Sequence, residues 1–358
     1  MSLSCGIIGL PNVGKSTIFK LLTKLQVETK NFPFCTIKPN IGILPIKDIR
    51  INQLSNIVQT KKITPNTIKI IDIAGLVKGS HKGEGLGNQF LNNIRETTAI
   101  MHVVRCFKNE NITHIYSSVN PNRDIEIINT ELILSEIKMC ERIIKLYKNK
   151  NINDFKLNFL KKCLNHLNNF KMLRFLKMNL QEKKFINEFN FITLKPFMYI
   201  ANINKEKNKN NKYINEVKKI AKKENAYVVE IYAKNKSNYK KLIKNKKNNK
   251  KIILNKSLTN IEKIINFGFK LLKLQTFFTV GSKEIKAWSL PIGSSILEAS
   301  KKIHTDIAKG FIKAEVISFK DFINYNGYKQ SKKFNKVRYE GKNYLVKDGD
   351  IINILFNN

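Results

Sequence analysis

Gly9-Leu10-Pro11-Asn12-Val13-Gly14-Lys15-Ser16 fits the spacing G-x-x-x-x-G-K-[ST], and the chemistry of that spacing is phosphate binding. The glycines let the backbone wrap closely around an anion, so that successive N–H groups and the following helix N-terminus point at it. Asn12, Val13 and Gly14 form the cradle, and Lys15 neutralises charge between the β- and γ-phosphates. Ser16 is placed to ligate Mg²⁺ through its hydroxyl, and Thr17 to back the α-phosphate side. Downstream, Asp72-Ile73-Ala74-Gly75 fits D-x-x-G. In P-loop NTPases this aspartate holds Mg²⁺, usually through water, and the glycine N–H senses the γ-phosphate. Thr36, within NFPFCTIKPN, lies between the two motifs, where a switch threonine completes the metal shell.

Two positions depart from a Ras-like pattern. Leu76 follows the D-x-x-G where a glutamine would orient the attacking water, and an aliphatic side chain cannot align water by hydrogen bonding. Asn202-Ile203-Asn204-Lys205 stands where a GTP-binding protein carries Asn-Lys-x-Asp. Lys205 cannot accept from guanine N1–H and N2–H₂, and an unmatched buried polar edge costs about 1–3 kcal/mol. Adenine escapes that penalty. The residues therefore count against guanine specificity without establishing adenine.

These groups need a scaffold, and the apolar runs supply one. LSCGII (3–8) reads as a buried strand leading through the glycine turn into a helix from Lys15 to Leu25. IGILPI (41–46), IKIIDI (68–73), AIMHVV (99–104), PFMYIA (196–201) and AYVVEIY (226–232) are further strands. Near-continuous apolar strands alternating with helices predict an α/β fold around a parallel sheet. Between 124 and 190 the period becomes helical, with Ile133, Ile137, Cys140, Ile144 and Tyr147 on one stretch and Leu157, Leu160, Leu164 and Leu167 on the next. This predicts an antiparallel helical hairpin inserted in the first domain. A helix over 259–274 leads to strands at 277–281, 286–290 and 351–356 around a helical segment, 294–308, which is a small α+β domain. The expected division is 1–123 with 191–275, an insertion at 124–190, and 276–358.

Of 358 residues, 42% are hydrophobic, with no apolar run near the roughly 18 residues of a membrane span. The start has no basic region before its apolar patch, so no signal peptide is expected. Cys5, Cys35, Cys106, Cys140 and Cys163 are scattered without a C-x-x-C pair, which predicts reduced thiols in a cytoplasmic setting. The net charge of +38 suits an anionic partner such as RNA. However, Lys, Asn and Ile are enriched along the whole chain, as bias toward A/T-rich codons produces.

The blocks GLPNVGKST, NFPFCTIKPNIG, DIAGLVKGSHKGEGLGNQFLNNIRE and YIANIN resemble the YchF family of Obg-related P-loop proteins. HTDIAKGFIKAEVISFKDF and YEGKNYLVKDGDIINILF resemble that family's C-terminal TGS domain. The resemblance runs nearly end to end. It implies a G domain with a helical insertion followed by a β-grasp TGS module, together with ATP binding and slow hydrolysis in preference to GTP, and association with ribosomes. The family replaces the catalytic glutamine with a hydrophobic residue, as Leu76 does, and uses N-x-x-E for the base, to which Asn202 corresponds. Lys205 departs from that glutamate. His114 aligns with a family histidine implicated in hydrolysis from a flexible loop, where an imidazole can orient or deprotonate water near neutral pH. His102, on an apolar strand, reads as a core histidine. Asn12 matches the asparagine that accompanies K⁺ dependence in some related NTPases, where the ion adds a fixed positive charge between phosphates. Two other readings stay open. One is a GTPase or non-discriminating purine NTPase, and the other is a ribosome- or RNA-binding module with a decayed nucleotide site.

Overall fold

Every residue of β1 (Ser4–Ile8) is buried, as the centre of a parallel sheet requires. In this computed structural model, which describes residues 3–24, 40–60, 62–73, 75, 79, 86–149, 154–204, 211–233 and 259–357, β1 is flanked by β4 (Thr67–Asp72) and β5 (Ala99–Arg105), both parallel to it. The sheet continues through β6 (Phe197–Asn202) and β7 (Tyr227–Ile231), and β2 (Ile41–Pro45) lies outside β4, giving the order β2-β4-β1-β5-β6-β7. From β1 the chain goes to the edge at β2, returns to β4 beside β1, then crosses to the other side at β5. Such a switch point leaves a crevice at the carboxyl ends of the strands. The glycine turn and α1 (Lys15–Thr23) start there.

The chain divides into two units. One comprises the residues up to Gly42 together with Lys69–Gly268, and the other comprises Ile43–Ile68 with Phe269–Asn358. In the first unit, α3 (Leu86–Arg95) precedes β5, and a long α4 (Pro121–Asn149) follows it. Pro121 at the first helical position needs no N–H partner there. At 1.5 Å per residue α4 spans roughly 44 Å and pairs with α5 (Asp154–Asn168). Ile133, Cys140 and Ile144 are buried as the spacing predicts, with Leu160 and Leu167 opposite. Phe159 and Cys163, rather than Leu157 and Leu164, complete the α5 seam. A single 3-10 turn (Ile192–Leu194) leads into β6. Both α6 (Leu180–Ile186) and α7 (Lys212–Lys223) begin at asparagine N-caps.

The second unit is built on the order β11-β10-β12-β8-β9-β3. A hairpin of β8 (Leu274–Val280) and β9 (Ile285–Pro291), led in by α8 (Asn260–Leu271), is antiparallel. So are β10 (Phe311–Ile317) with β12 (Ile351–Phe356) and with β11 (Arg338–Glu340). Phe277 and Phe278 point to opposite faces, and each anchors an apolar cluster. Phe277 packs with Ile296 and Ala299 of α9 (Ile296–Ile303), and Phe278 packs with Ile51 and Leu54 of α2 (Ile49–Val58). This moves a boundary. The sequence expectation puts 43–68 with the P-loop domain, but its α2 covers the second apolar face of the C-terminal sheet, and β3 (Ile63–Thr64) extends that sheet's edge beside β9. Arg50 fixes the arrangement by bonding Asp48 and Asp348 at 2.7 Å each. The helical segment expected over 294–308 is broken at His304 into α9 and α10 (Thr305–Lys309). No helix among the described residues is long and apolar enough to cross a membrane.

Candidate nucleotide site

The turn between β1 and α1 holds three residues at positive φ: Gly9 (152°), Asn12 (59°) and Gly14 (99°). A Cβ at Gly9 would lie 2.6 Å from the Val103 carbonyl, and one at Gly14 would collide with Asn202 Nδ2. Both glycines are therefore required by close backbone approach as well as by φ. Val13 is buried and its carbonyl accepts from Asn202 Nδ2 at 2.8 Å. Ser16 and Thr17 stand exposed in the first turn of α1, whose leading N–H groups have no partner within the helix.

Lys15 is buried, and its ammonium donates to the carbonyls of Gly9 (3.1 Å) and Leu10 (2.9 Å). Burial pulls its pKa down to about 8, against the opposing pull of Asp72. Burial also pushes the Asp72 carboxyl up, while a hydrogen bond from Ser16 and the charge of Lys15 pull it down. Asp72 Oδ1 is buried without a hydrogen-bond partner. An orphaned carboxylate oxygen beside a serine hydroxyl is a hard donor pair of the kind Mg²⁺ uses together with phosphate oxygens, so these residues fit the metal. Among the described residues no cluster of three His, Cys, Asp or Glu exists, and a cation here depends on the ligand for the rest of its shell. Gly75 comes close enough that a Cβ would sit 2.9 Å from Lys15 Nζ and 3.2 Å from Pro11 N.

On the opposite side, Asn202 ends β6. Its amide nitrogen is spent on Val13, while its Oδ1 is buried without a partner. Ile203 is buried and its N–H is held by the Ile231 carbonyl at 2.8 Å. It therefore offers a ligand a wall and no backbone donor. Thr36, Leu76 and Lys205 lie outside the described residues.

His114 differs from its expectation as a catalytic group on a flexible loop. It is buried, Nε2 lies 2.9 Å from Asp124 Oδ2, and Nδ1 accepts from the Tyr116 N–H at 3.1 Å. Both ring nitrogens are engaged, so neither is presented to water. The surrounding loop is built rather than loose. The guanidinium of Arg105, itself buried, donates to the carbonyls of Phe107, Asn109 and Ile112 at 3.1–3.2 Å. Asn12 Nδ2 reaches the Thr113 carbonyl at 3.2 Å, joining this loop to the phosphate turn. His102 is a buried core residue, as expected, with its pKa lowered to about 3 chiefly by burial.

Sequence reasoning missed Asp124, Arg105 and Glu131. Glu131 accepts from the Gly79 N–H at 2.8 Å, beyond the D-x-x-G. All three are charged residues that the fold buries against polar partners, and apolar spacing alone does not mark them.

A doubly covered parallel sheet carrying this turn, with Ser16 and Asp72 brought together, defines a P-loop NTPase domain joined to a C-terminal α+β unit. A family model described as 50S ribosome-binding GTPase matches residues 4–139, and the YchF-GTPase_C model, described as a protein of unknown function, matches 274–357. Proteins named Ribosome-binding ATPase YchF are similar throughout. That of Buchnera aphidicola (Acyrthosiphon pisum) is 53% identical over 363 residues, and that of Escherichia coli O157:H7 is 50% identical over 362, each with 100% of both chains covered. The solved Schizosaccharomyces pombe YchF GTPase superposes with TM-score 0.84 at 27% identity, covering 99% of this chain and 98% of its own. The chain belongs to the YchF family.

Proposed function

We propose that the protein is an ATP-binding, ATP-hydrolysing P-loop switch that associates with ribosomes in the cytoplasm. The observation that carries the nucleotide site is the grouping of Lys15, Ser16 and Asp72, with one buried carboxylate oxygen unpaired. A decayed site would have no reason to keep it. The names of the full-length relatives at 50–53% identity support ATP over GTP and the ribosome as partner, while the solved S. pombe relative, at 27%, is named a GTPase.

In this reading a triphosphate displaces the Gly9 and Leu10 carbonyls from Lys15. The ammonium then neutralises the β/γ bridge, and the N–H groups at the start of α1 cradle the phosphates. Ser16 Oγ and Thr36, with Asp72 through water, would hold Mg²⁺, which would spread the negative charge of the phosphates. The Gly75 N–H senses the γ-phosphate, and Asn202 borders the base. Neither Leu76 nor the engaged His114 supplies a water-orienting group. Hydrolysis therefore rests on electrostatic stabilisation by Lys15 and the main chain, and is slow. K⁺ at Asn12 is a further element of the reading, checked by replacing K⁺ with Na⁺ during turnover.

The test is single-turnover ATP hydrolysis by wild type, Lys15→Ala and Ser16→Ala, with and without Mg²⁺, beside co-sedimentation with ribosomes in ATP and in ADP. The reading expects hydrolysis to vanish in Lys15→Ala and without Mg²⁺, and ribosome binding to differ between nucleotides. Ribosome binding that ignores nucleotide, and is unchanged in Lys15→Ala, would overturn the switch.

A further inference from the structure

Two short helices of the C-terminal unit, α11 (Phe319–Asn324) and α12 (Tyr328–Lys333), end in the same way. After α11, Asn326 is left-handed (φ 50°), its N–H bonds the Ile323 carbonyl, and the Gly327 N–H bonds Phe322. After α12, Asn335 is left-handed (φ 52°), its N–H bonds Lys332, and the Lys336 N–H bonds Ser331. Each is a Schellman motif, which satisfies the orphan carbonyls of a helix end and fixes the residue at the C-cap. The two C-cap residues are Tyr325 and Phe334. Their rings stack with centroids 4.9 Å apart and planes 30° from parallel.

That stack is not a core contact. Phe334 remains 58% exposed, so much of its ring is open to solvent. The ammonium of Lys336 lies 5.8 Å from the Tyr325 ring centroid. Lys329, Lys332 and Lys333 project exposed from α12, and of the three only the charge of Lys332 is felt by a carboxylate, that of Glu315, among the described residues. No acidic residue occurs between Asp321 and Glu340. A rigid, half-open aromatic pair fringed by cations is the arrangement that binds single-stranded nucleic acid, with a base on the ring face and phosphates on the ammonium groups. An acidic protein surface would use the lysines and leave the Phe334 face unused.

The geometry points to Phe334 and Tyr325, with Lys332, Lys333 and Lys336, as a docking platform for an unpaired stretch of RNA. It deepens the ribosome reading by naming the chemistry of the contact, and rests on that reading only for the source of the RNA.

The test is fluorescence anisotropy of the full chain with a labelled, mixed-sequence single-stranded RNA of about twelve nucleotides, within the site sizes such platforms cover, over a range of salt. Phe334→Ala is expected to weaken binding about 5- to 140-fold, and Phe334→Trp to retain it. Changing Lys332 and Lys333 together to Gln should flatten the slope of log K against log salt by about 1.4. The same change at the exposed Lys219 and Lys223 of α7 should leave affinity within about twofold, since those cations share their pocket with the carboxylates of Glu216 and Glu224 and with no stacked aromatic pair. Phe334→Leu keeps an apolar contact but removes the stacking face, and it serves if the alanine variant unfolds.

Absence of RNA binding by the wild type, a Phe334→Ala variant that binds normally, or equal losses from the two lysine pairs would overturn the platform. So would displacement of the RNA by poly-glutamate that depends equally on Phe334. Ribosome co-sedimentation separates the two claims. RNA binding without ribosome binding would keep the platform and sink the ribosome reading. Ribosome binding indifferent to Phe334 would do the reverse.

Discussion

His114 Nε2 and Asp124 Oδ2 lie 2.9 Å apart, both side chains buried, one on the loop after β5 and the other in the first turn of α4. Because the Tyr116 N–H donates to Nδ1, the imidazole proton belongs on Nε2, facing the carboxylate. Arg123 takes the other carboxylate oxygen at 3.0 Å. Asn12 of the phosphate turn bonds the residue just before His114. The histidine therefore acts as a clasp between the nucleotide turn and the long helix.

A clasp and a catalytic base make different demands on Asp124. For a clasp, His114→Ala and Asp124→Asn should slow turnover by similar factors, and the double variant should do no worse than either, because one contact is broken. Each should cost about 1–3 kcal/mol of stability, since a buried polar partner is left unsatisfied. A double-mutant cycle on turnover and urea unfolding reads both. A base would show a loss of about 10²–10⁴ in rate on removing His114 alone.

Lys15 sets a pH dependence whose sign follows from its lowered pKa. Burial brings it from 10.5 to about 8 in the folded protein, so between those values the unfolded chain binds more protons and stability rises with pH. Below about pH 8 the full cost of the buried charge is present. Lys15→Met should therefore stabilise the nucleotide-free protein near neutrality by roughly 1–3 kcal/mol while abolishing nucleotide binding. For the wild type, affinity for ATP should fall as pH rises through about 8, because binding then has to take up a proton. Titration calorimetry in buffers of different ionisation heat checks the proton, and urea unfolding checks the stability.

Removing the loop's organiser should loosen the site without touching the phosphate turn. Arg105→Met orphans three carbonyls. It should cost about 3 kcal/mol or more and raise hydrogen exchange across 107–114. An exchange pattern unchanged there would contradict the role given to the guanidinium.

The C-terminal unit should need residues 43–68. Expressed alone, 269–358 exposes Phe278, Ile285, Ile317 and Ile351, the face that Ile51 and Leu54 cover. It should bind a hydrophobic dye and melt without cooperativity. Within the full chain, Leu54→Ala should cost about 2–5 kcal/mol. A free fragment that melts sharply would show the covering helix to be dispensable.

Much of this was legible because it is local. The strand expected at 351–356 is the strand observed, and β1, β5, β6 and β7 fall within a residue or so of their apolar runs. The phosphate turn declared its own φ angles through its glycines. What stayed hidden depends on distant pairing. The pattern of α2 announces one apolar face but not which sheet it covers. His114 reads as a loop histidine until Asp124, ten residues on, closes over it. Glu131 and Glu136 look like breaks in an apolar stripe, yet one accepts the Gly79 N–H and the other the Ile192 and Thr193 N–H groups. Period alone cannot distinguish a solvated carboxylate from one buried against backbone donors.

The measurement that bears most directly on the account is the equilibrium affinity of the full chain for ATP, ADP, GTP and GDP with Mg²⁺, by competition against a fluorescent analogue. An adenine switch predicts a preference of tenfold or more for the adenine nucleotides, about 1.4 kcal/mol, lost in Lys15→Ala. Equal or guanine-favouring affinities would contradict it and leave a purine site whose base recognition parts from that implied by the names of its relatives.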